Sequence, residues 1–134
     1  MTEDSEIPHH AFSIHRPSQM DRDEFVAVFG AVFEHSTWIA EGAWDQGLTH
    51  HDDTAAGLCH SLIDIVETAG REPQLVLLRA HPDLAGRLAR NGEVTNASRG
   101  EQAGAGLDQC TEGEYQEFQV LNQRYIEKFG FPFI

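Results

Sequence analysis

The sequence predicts an all-α fold, a compact single-domain helical bundle. Three observations carry that prediction. Apolar residues recur at helical spacing in several stretches, and residues that start and stop helices flank those stretches. Only residues 74–78 have the apolar density of a buried strand. That run reads equally well as strand or helix by periodicity, and helix is preferred because no second strand candidate exists to pair with it.

Residues 1–17 read as a polar leader, which holds His9 and His10. The first strong pattern starts at Asp21, with Glu24 three residues on, as in a helix capping box. Phe25, Val28, Phe29, Val32 and Phe33 then recur as one wide apolar stripe. Ser36 and Thr37 mark a break, after which Trp38, Ile39 and Trp44 continue the apolar content. A second helix is expected to start between Thr49 and Asp52 and to run to Thr68. It would bury Leu58, Leu62, Ile65 and Val66, with Gly70 ending it. Pro73 suits the first turn of a third helix, which carries Leu75, Val76 and Leu78 into His81. Residues 86–96 are a mixed segment with a turn at Gly92. Ser98 with Glu101 has the spacing of another helix start, and Thr111 with Glu114 repeats it. Tyr115, Phe118, Leu121 and Tyr125 form the apolar face of the last helix, with Lys128 in its final turn and Gly130 just beyond. The ending Phe129-Gly130-Phe131-Pro132-Phe133-Ile134 is strongly apolar. Such a tail either packs away or is followed by more chain.

At 134 residues the chain fits one domain, and 40% hydrophobic with 23% charged residues is the balance of a globular protein. Nine basic residues face 22 acidic ones, for a net charge of −13. Nucleic acid and anionic membrane require a concentrated cationic surface, so both are excluded as partners. Cys59 and Cys110 form no CxxC, which argues against a disulfide framework or zinc ribbon and for small buried thiols in a reducing compartment. No apolar run reaches bilayer length, and the acidic start is unlike a signal peptide, so the cytoplasm is the expected compartment.

Histidine exchanges a proton near neutral pH, and His81 stands at a helix end where Pro82 biases it out of helical geometry. It reads as a positioned acid–base group or as an ordinary capping histidine. Ser98, Glu101 and Gln102 stand at i, i+3 and i+4, so a helix would project them from one side. They read as a polar grip on a small ligand, or as a plain cap in which Glu101 reaches back to Ser98. His50, His51, Asp52, Asp53, Cys59 and His60 lack the spacing of a metal site, so no metal is expected. Residues 104–106 follow no strand and make no nucleotide loop, and no GxSxG marks a serine hydrolase.

The strings HPDLAGRLA, SRGEQAGAGL and EFQVLNQRYIEKFGFPFI closely resemble the 2-oxo-4-hydroxy-4-carboxy-5-ureidoimidazoline (OHCU) decarboxylases. VFGAVFEHSTWIAEGAW matches the same family, with Thr37 where proline is common. The resemblance runs from about Phe25 to Ile134. It implies an all-α fold, a homodimer, no metal or organic cofactor, and conversion of OHCU to (S)-allantoin and CO2 in urate breakdown. It also implies His81 and Glu101 as catalytic residues. Pro82, Ser98, Arg99, Gly100, Glu101, Gln102, Phe133 and Ile134 are the implied substrate contacts. Relatives continue past the matched ending with an arginine that binds the substrate carboxylate, and some carry a peroxisomal address there. Nothing in this chain matches that arginine, so the carboxylate-binding part is expected beyond Ile134. The alternative is an inactive domain of this fold serving as a binding or dimerisation module.

Overall fold

A computed structural model describes residues 11–85 and 96–134, and among them the regular structure is helical. Among the described residues six helices follow in order: α1 (Arg22–Phe29), α2 (Trp38–Gln46), α3 (Ala55–Thr68), α4 (Arg71–Ala80), α5 (Asn96–Gly104) and α6 (Glu112–Phe129). Short 3-10 turns lie at Pro17–Gln19, His50–Asp53 and Leu107–Gln109. The described residues hold one isolated β-bridge, Ala11 with Thr54, and no strand. The expected all-α class is what is found, with residues 74–78 inside α4. His9, His10, most of the expected leader and the turn at Gly92 lie outside the described residues.

The chain divides into two compact units, Met1–Ala31 with Thr37–Gly70, and Val32–Ser36 with Arg71–Ile134. The first is built on apolar packing. Asp21 caps α1 by accepting from the Glu24 N–H at 2.9 Å, while the Glu24 carboxylate accepts from the Asp21 N–H at 3.2 Å. Helix α1 is shorter than the apolar spacing suggests. It stops at Phe29, and only Phe25 of the predicted stripe is fully buried, while Val28 is exposed. Val32 and Phe33 fall past the helix end, where the chain turns and takes them into the wall of a cavity in the second unit. Helix α2 follows the break at Thr37, and Ile39, Ala40 and Ala43 go into the core with Leu58, Leu62 and Ile65 of α3. The two helices come close at Gly42, where an added Cβ would stand 3.2 Å from Ile65 Cγ2.

The expected helix start at 49–52 is divided. Thr49 opens a separate 3-10 turn, and Thr54 is extended before its hydroxyl caps the Gly57 N–H of α3 at 3.1 Å. Gly57 is needed there because a Cβ would run into the His51 carbonyl oxygen. The acidic residues of this turn are structural: Asp52 accepts from the Thr49 N–H at 2.7 Å and Ser61 Oγ at 2.5 Å, and Asp53 from Ser18. Gly70, at φ +87°, follows the end of α3 as its position predicts.

Among its described residues the second unit buries little apolar surface. Helix α4 has no buried residue, with Val76 and Leu78 of its predicted stripe exposed. Helix α6 starts at the capping box of Thr111 and Glu114 and ends at Gly130 in left-handed geometry, both as expected. Its apolar face is corrected: Leu121 is exposed, Tyr115, Phe118 and Tyr125 are half-buried, and the buried residue is Asn122. The apolar ending folds back on α6. The rings of Phe129, Phe131 and Phe133 lie 4.5, 6.0 and 5.2 Å from that of Tyr125, and Pro132 is buried.

Candidate active site

The site lies within the second unit and rests on residues 81–85. Helix α4 ends at Ala80 because Pro82 disfavours helical geometry in the residue before it. The His81 N–H closes the last turn on the Leu78 carbonyl at 3.3 Å. Pro82 is buried, and Ala85 adopts a left-handed φ of +49°. That conformation costs a non-glycine residue about 1–3 kcal/mol and persists only where its surroundings fix it. Three carboxamides do so. Gln102 of α5 accepts from the Ala85 N–H at 3.0 Å and donates to the Asp83 carbonyl at 3.2 Å. From α6, Gln119 donates to the Ala85 carbonyl and Asn122 to the Leu84 carbonyl, each at 3.0 Å. Each of these hydrogen bonds satisfies a backbone group that burial would otherwise leave at a cost.

This anchored loop holds a half-buried His81 whose Nδ1 lies 2.9 Å from the Pro82 carbonyl oxygen. A carbonyl only accepts, so the neutral ring carries its proton on Nδ1 and its lone pair on Nε2. Next in the loop, Asp83 has a buried carboxylate oxygen, Oδ1, with no hydrogen-bond partner. Burial pushes its carboxyl above the ordinary value, against the opposing attraction of His81.

His81 borders a cavity of about 300 Å³ together with Glu34, Ser98 and Glu101. Its apolar wall is Val32, Phe33, Leu77, Leu78 and Ile134. One acid–base group and three polar side chains converge on an apolar hollow of small-ligand size, which is the composition of a binding or catalytic pocket. Ser98 does not cap α5. The helix begins at Asn96, so Ser98 is its third residue, and its hydroxyl donates to Glu34 Oε2 at 2.5 Å. The reading in which Ser98 and Glu101 form a local cap is therefore corrected. The competing group is a buried carboxylate 64 residues away.

The structure brings His81, Ser98, Glu101 and Ile134 of the predicted residues to the cavity wall. Pro82 and Gln102 stand behind it and hold the loop. Arg99 and Gly100 are exposed on α5, and Phe133 is half exposed against Tyr125. Sequence reasoning missed Glu34, Gln119 and Asn122. Their common signal is a polar residue inside an apolar pattern: Glu34 directly follows Phe33, and Asn122 falls one turn after Phe118. Among the described residues no three His, Cys, Asp or Glu side chains converge as a metal site requires. No described helix is long and apolar enough to cross a membrane.

A family model described as OHCU decarboxylase matches residues 18–134. The chain is 42% identical over 126 residues to the 2-oxo-4-hydroxy-4-carboxy-5-ureidoimidazoline decarboxylase of Haloferax volcanii, covering 93% of this chain and 70% of that protein. It is 38% identical over 117 residues to the mouse protein of that name, covering 87% of this chain and 64% of the relative. Against the uric acid degradation bifunctional protein PucL of Bacillus subtilis it is 37% identical over 123 residues, covering 92% of this chain and 24% of that one. The chain thus spans about two thirds of the length of single-function relatives and about a quarter of a bifunctional one. Among solved structures, a crystal structure of (S)-allantoin synthase superposes with a TM-score of 0.58 at 24% identity, over 88% of this chain and 35% of that one, a likeness of fold.

Proposed function

The chain belongs to the OHCU decarboxylase family, and on that premise we propose that it converts OHCU to (S)-allantoin and CO2 in the cavity bordered by His81, Ser98 and Glu101. The observation that carries the reading is the anchored His81, whose Nε2 lone pair is set by the Pro82 carbonyl at the edge of that cavity.

Loss of CO2 breaks the bond between the ring carbon and its carboxylate and leaves the electron pair on the ring. The conjugated imidazoline takes up that pair, so the chemistry needs no separate electron sink. A proton must then reach the ring carbon that bears the ureido group, on one face, while the ring hydroxyl loses its proton and becomes a carbonyl. His81 fits both transfers, accepting at Nε2 and then donating from it, with no net change in the enzyme, while the ring nitrogen that took up the pair gains one proton from solvent. Glu101 could either fix the histidine tautomer or accept a hydrogen bond from that hydroxyl. The Pro82 carbonyl already engages Nδ1, so the second role is the one proposed. Ser98 would hold the ureido end. Gln102 acts through the loop it holds, and Ile134 closes the apolar side over the ring. Pro82 sets the direction of His81. Arg99, Gly100 and Phe133 belong to the same proposal as contacts made once substrate is bound. The reading includes a homodimer and a cytoplasmic location, which sedimentation and cell fractionation test.

OHCU made freshly by urate oxidase and 5-hydroxyisourate hydrolase decays on its own and shows that decay in the ultraviolet. The full-length protein is expected to accelerate the decay and to build the optical signal of (S)-allantoin rather than of the racemate. No acceleration over the spontaneous rate would leave the inactive-module alternative standing.

A further inference from the structure

Besides His81, Asp83 is the ionisable residue of the anchored loop at 81–85, and the mechanism above does not use it. Its backbone is fixed, because the Asp83 carbonyl accepts from Gln102 Nε2 at 3.2 Å. Its carboxylate is not fixed in that way: Oδ1 is buried and has no hydrogen-bond partner. A buried charged acceptor without a donor costs the folded state free energy. The helices packed on the loop turn neutral amides to it, Gln102 from α5 and Gln119 and Asn122 from α6. Arg79 at the end of α4 is held at the Gly130 carbonyl, 3.0 Å away. The group whose charge attracts the Asp83 carboxylate is His81.

Glu34 and Glu101 also face His81, across the cavity that all three line, and His35 stands beside Glu34 with Nε2 3.6 Å from Oε1. Asp83 is not in that wall, so it reaches the reaction only through His81. Once His81 has taken a proton at Nε2, with Nδ1 already protonated towards the Pro82 carbonyl, the ring is a cation. A negative charge beside a cation in a half-buried site lowers the energy of the charged form. We infer that Asp83 is a positioning residue whose unbonded carboxylate favours the imidazolium that His81 forms on taking the substrate's hydroxyl proton. The inference rests on the proposed OHCU reaction and deepens it by naming a group that supports its charged state. It also accounts for a carboxylate that costs stability where it stands, since local rules of stability are broken most often at functional sites.

Steady-state kinetics on OHCU with the full-length protein test this, comparing wild type with the uncharged isostere Asp83→Asn between about pH 8 and pH 5, the histidine range. Glu34, His35, Arg79 and Glu101 are common to both proteins, so the difference between them isolates Asp83. At neutral pH the variant is expected to lose about tenfold in kcat, part of the 10²–10⁴-fold that general acid–base catalysis supplies. KM is expected to stay unchanged, because Asp83 does not line the cavity. The difference in kcat is expected to shrink as pH falls. The wild-type carboxyl then takes up its own proton, at a higher pH than an ordinary aspartate, and becomes as uncharged as the amide. Thermal unfolding is expected to place the variant at or above the wild-type Tm at neutral pH. A merely structural role would instead lower Tm and kcat together, by a factor that does not follow pH. The inference is overturned by an unchanged kcat at neutral pH, by a loss of the same size at every pH, or by a rise in KM alone. A variant that fails to fold overturns it equally, since removing an unbonded buried charge should not destabilise the protein. Wild-type protein without activity would remove the proposed function itself, whereas a failure confined to Asp83→Asn removes only this inference.

Discussion

The two units of this chain are held by different forces. Among the described residues, the buried hydrophobics Phe25, Ile39, Ala40, Ala43, Leu58, Leu62 and Ile65 all belong to the first unit, and the second has Ala85 beside the buried prolines Pro82 and Pro132. The buried polar residues are distributed the other way: Glu34, Ser36, Ser98, Gln102 and Asn122 lie in the second unit, and only Asp52 in the first. Apolar burial is non-directional and tolerates small shifts, whereas hydrogen bonds fix distance and angle. The unit that presents a reactive histidine is the one whose interior is directional. That interior is a poor store of stability, since each bond contributes only about 0.5–1.5 kcal/mol net. It is a good way to hold residues 81–85 in one conformation.

This contrast can be broken from the apolar side first. Phe25 is 0% exposed, and Phe25→Ala should cost about 3–5 kcal/mol in denaturant unfolding. A loss below 1 kcal/mol, less than even a mild core truncation, would mean the first unit is not organised around that ring. On the polar side, Asn122→Ala leaves the Leu84 carbonyl without its amide donor and should cost about 1–3 kcal/mol. It should also lower kcat, because the loop that aims His81 is loosened. Loss of stability at unchanged kcat would show that α6 supports the fold and not the site.

The smallest expected effect has the opposite sign. The Asp83 carboxyl is raised above its ordinary value by burial, so the folded state binds that proton more tightly than the unfolded state does. Its ionised form therefore costs stability at neutral pH, and the cost fades as pH falls through the raised value. Asp83→Asn should raise Tm slightly at pH 7, with the gain shrinking toward about pH 4, where an ordinary aspartate protonates. A lower Tm for this variant at pH 7 would show that the ionised carboxylate is stabilising.

Local signals were legible wherever the group that completes them is close in sequence. Asp21 with Glu24, Thr111 with Glu114, and the glycines at 70 and 130 do what their spacing predicts, because each device closes within one turn. The end of α4 before Pro82 was legible for the same reason. Ser98 was not. It has the spacing of a cap, but its hydroxyl finds a carboxylate on another segment, and no local rule ranks that partner. Asn122 was hidden by the assumption that the buried side of a helix is apolar. In this unit that side turns toward loop carbonyls, which an amide satisfies and a leucine cannot. Of the candidate site, the residue words carried the family and His81 with it. The carboxamide anchors and Glu34 required the fold.

On the proposed mechanism His81, held on its anchored loop, moves the protons in OHCU decarboxylation. The most direct measurement is the enzyme-dependent rate of OHCU decay for His81→Ala beside wild type, with far-ultraviolet circular dichroism on both. A fall of about 10²–10⁴-fold in kcat with an unchanged helical spectrum is expected. A variant that keeps the spectrum and also keeps the wild-type rate would contradict it.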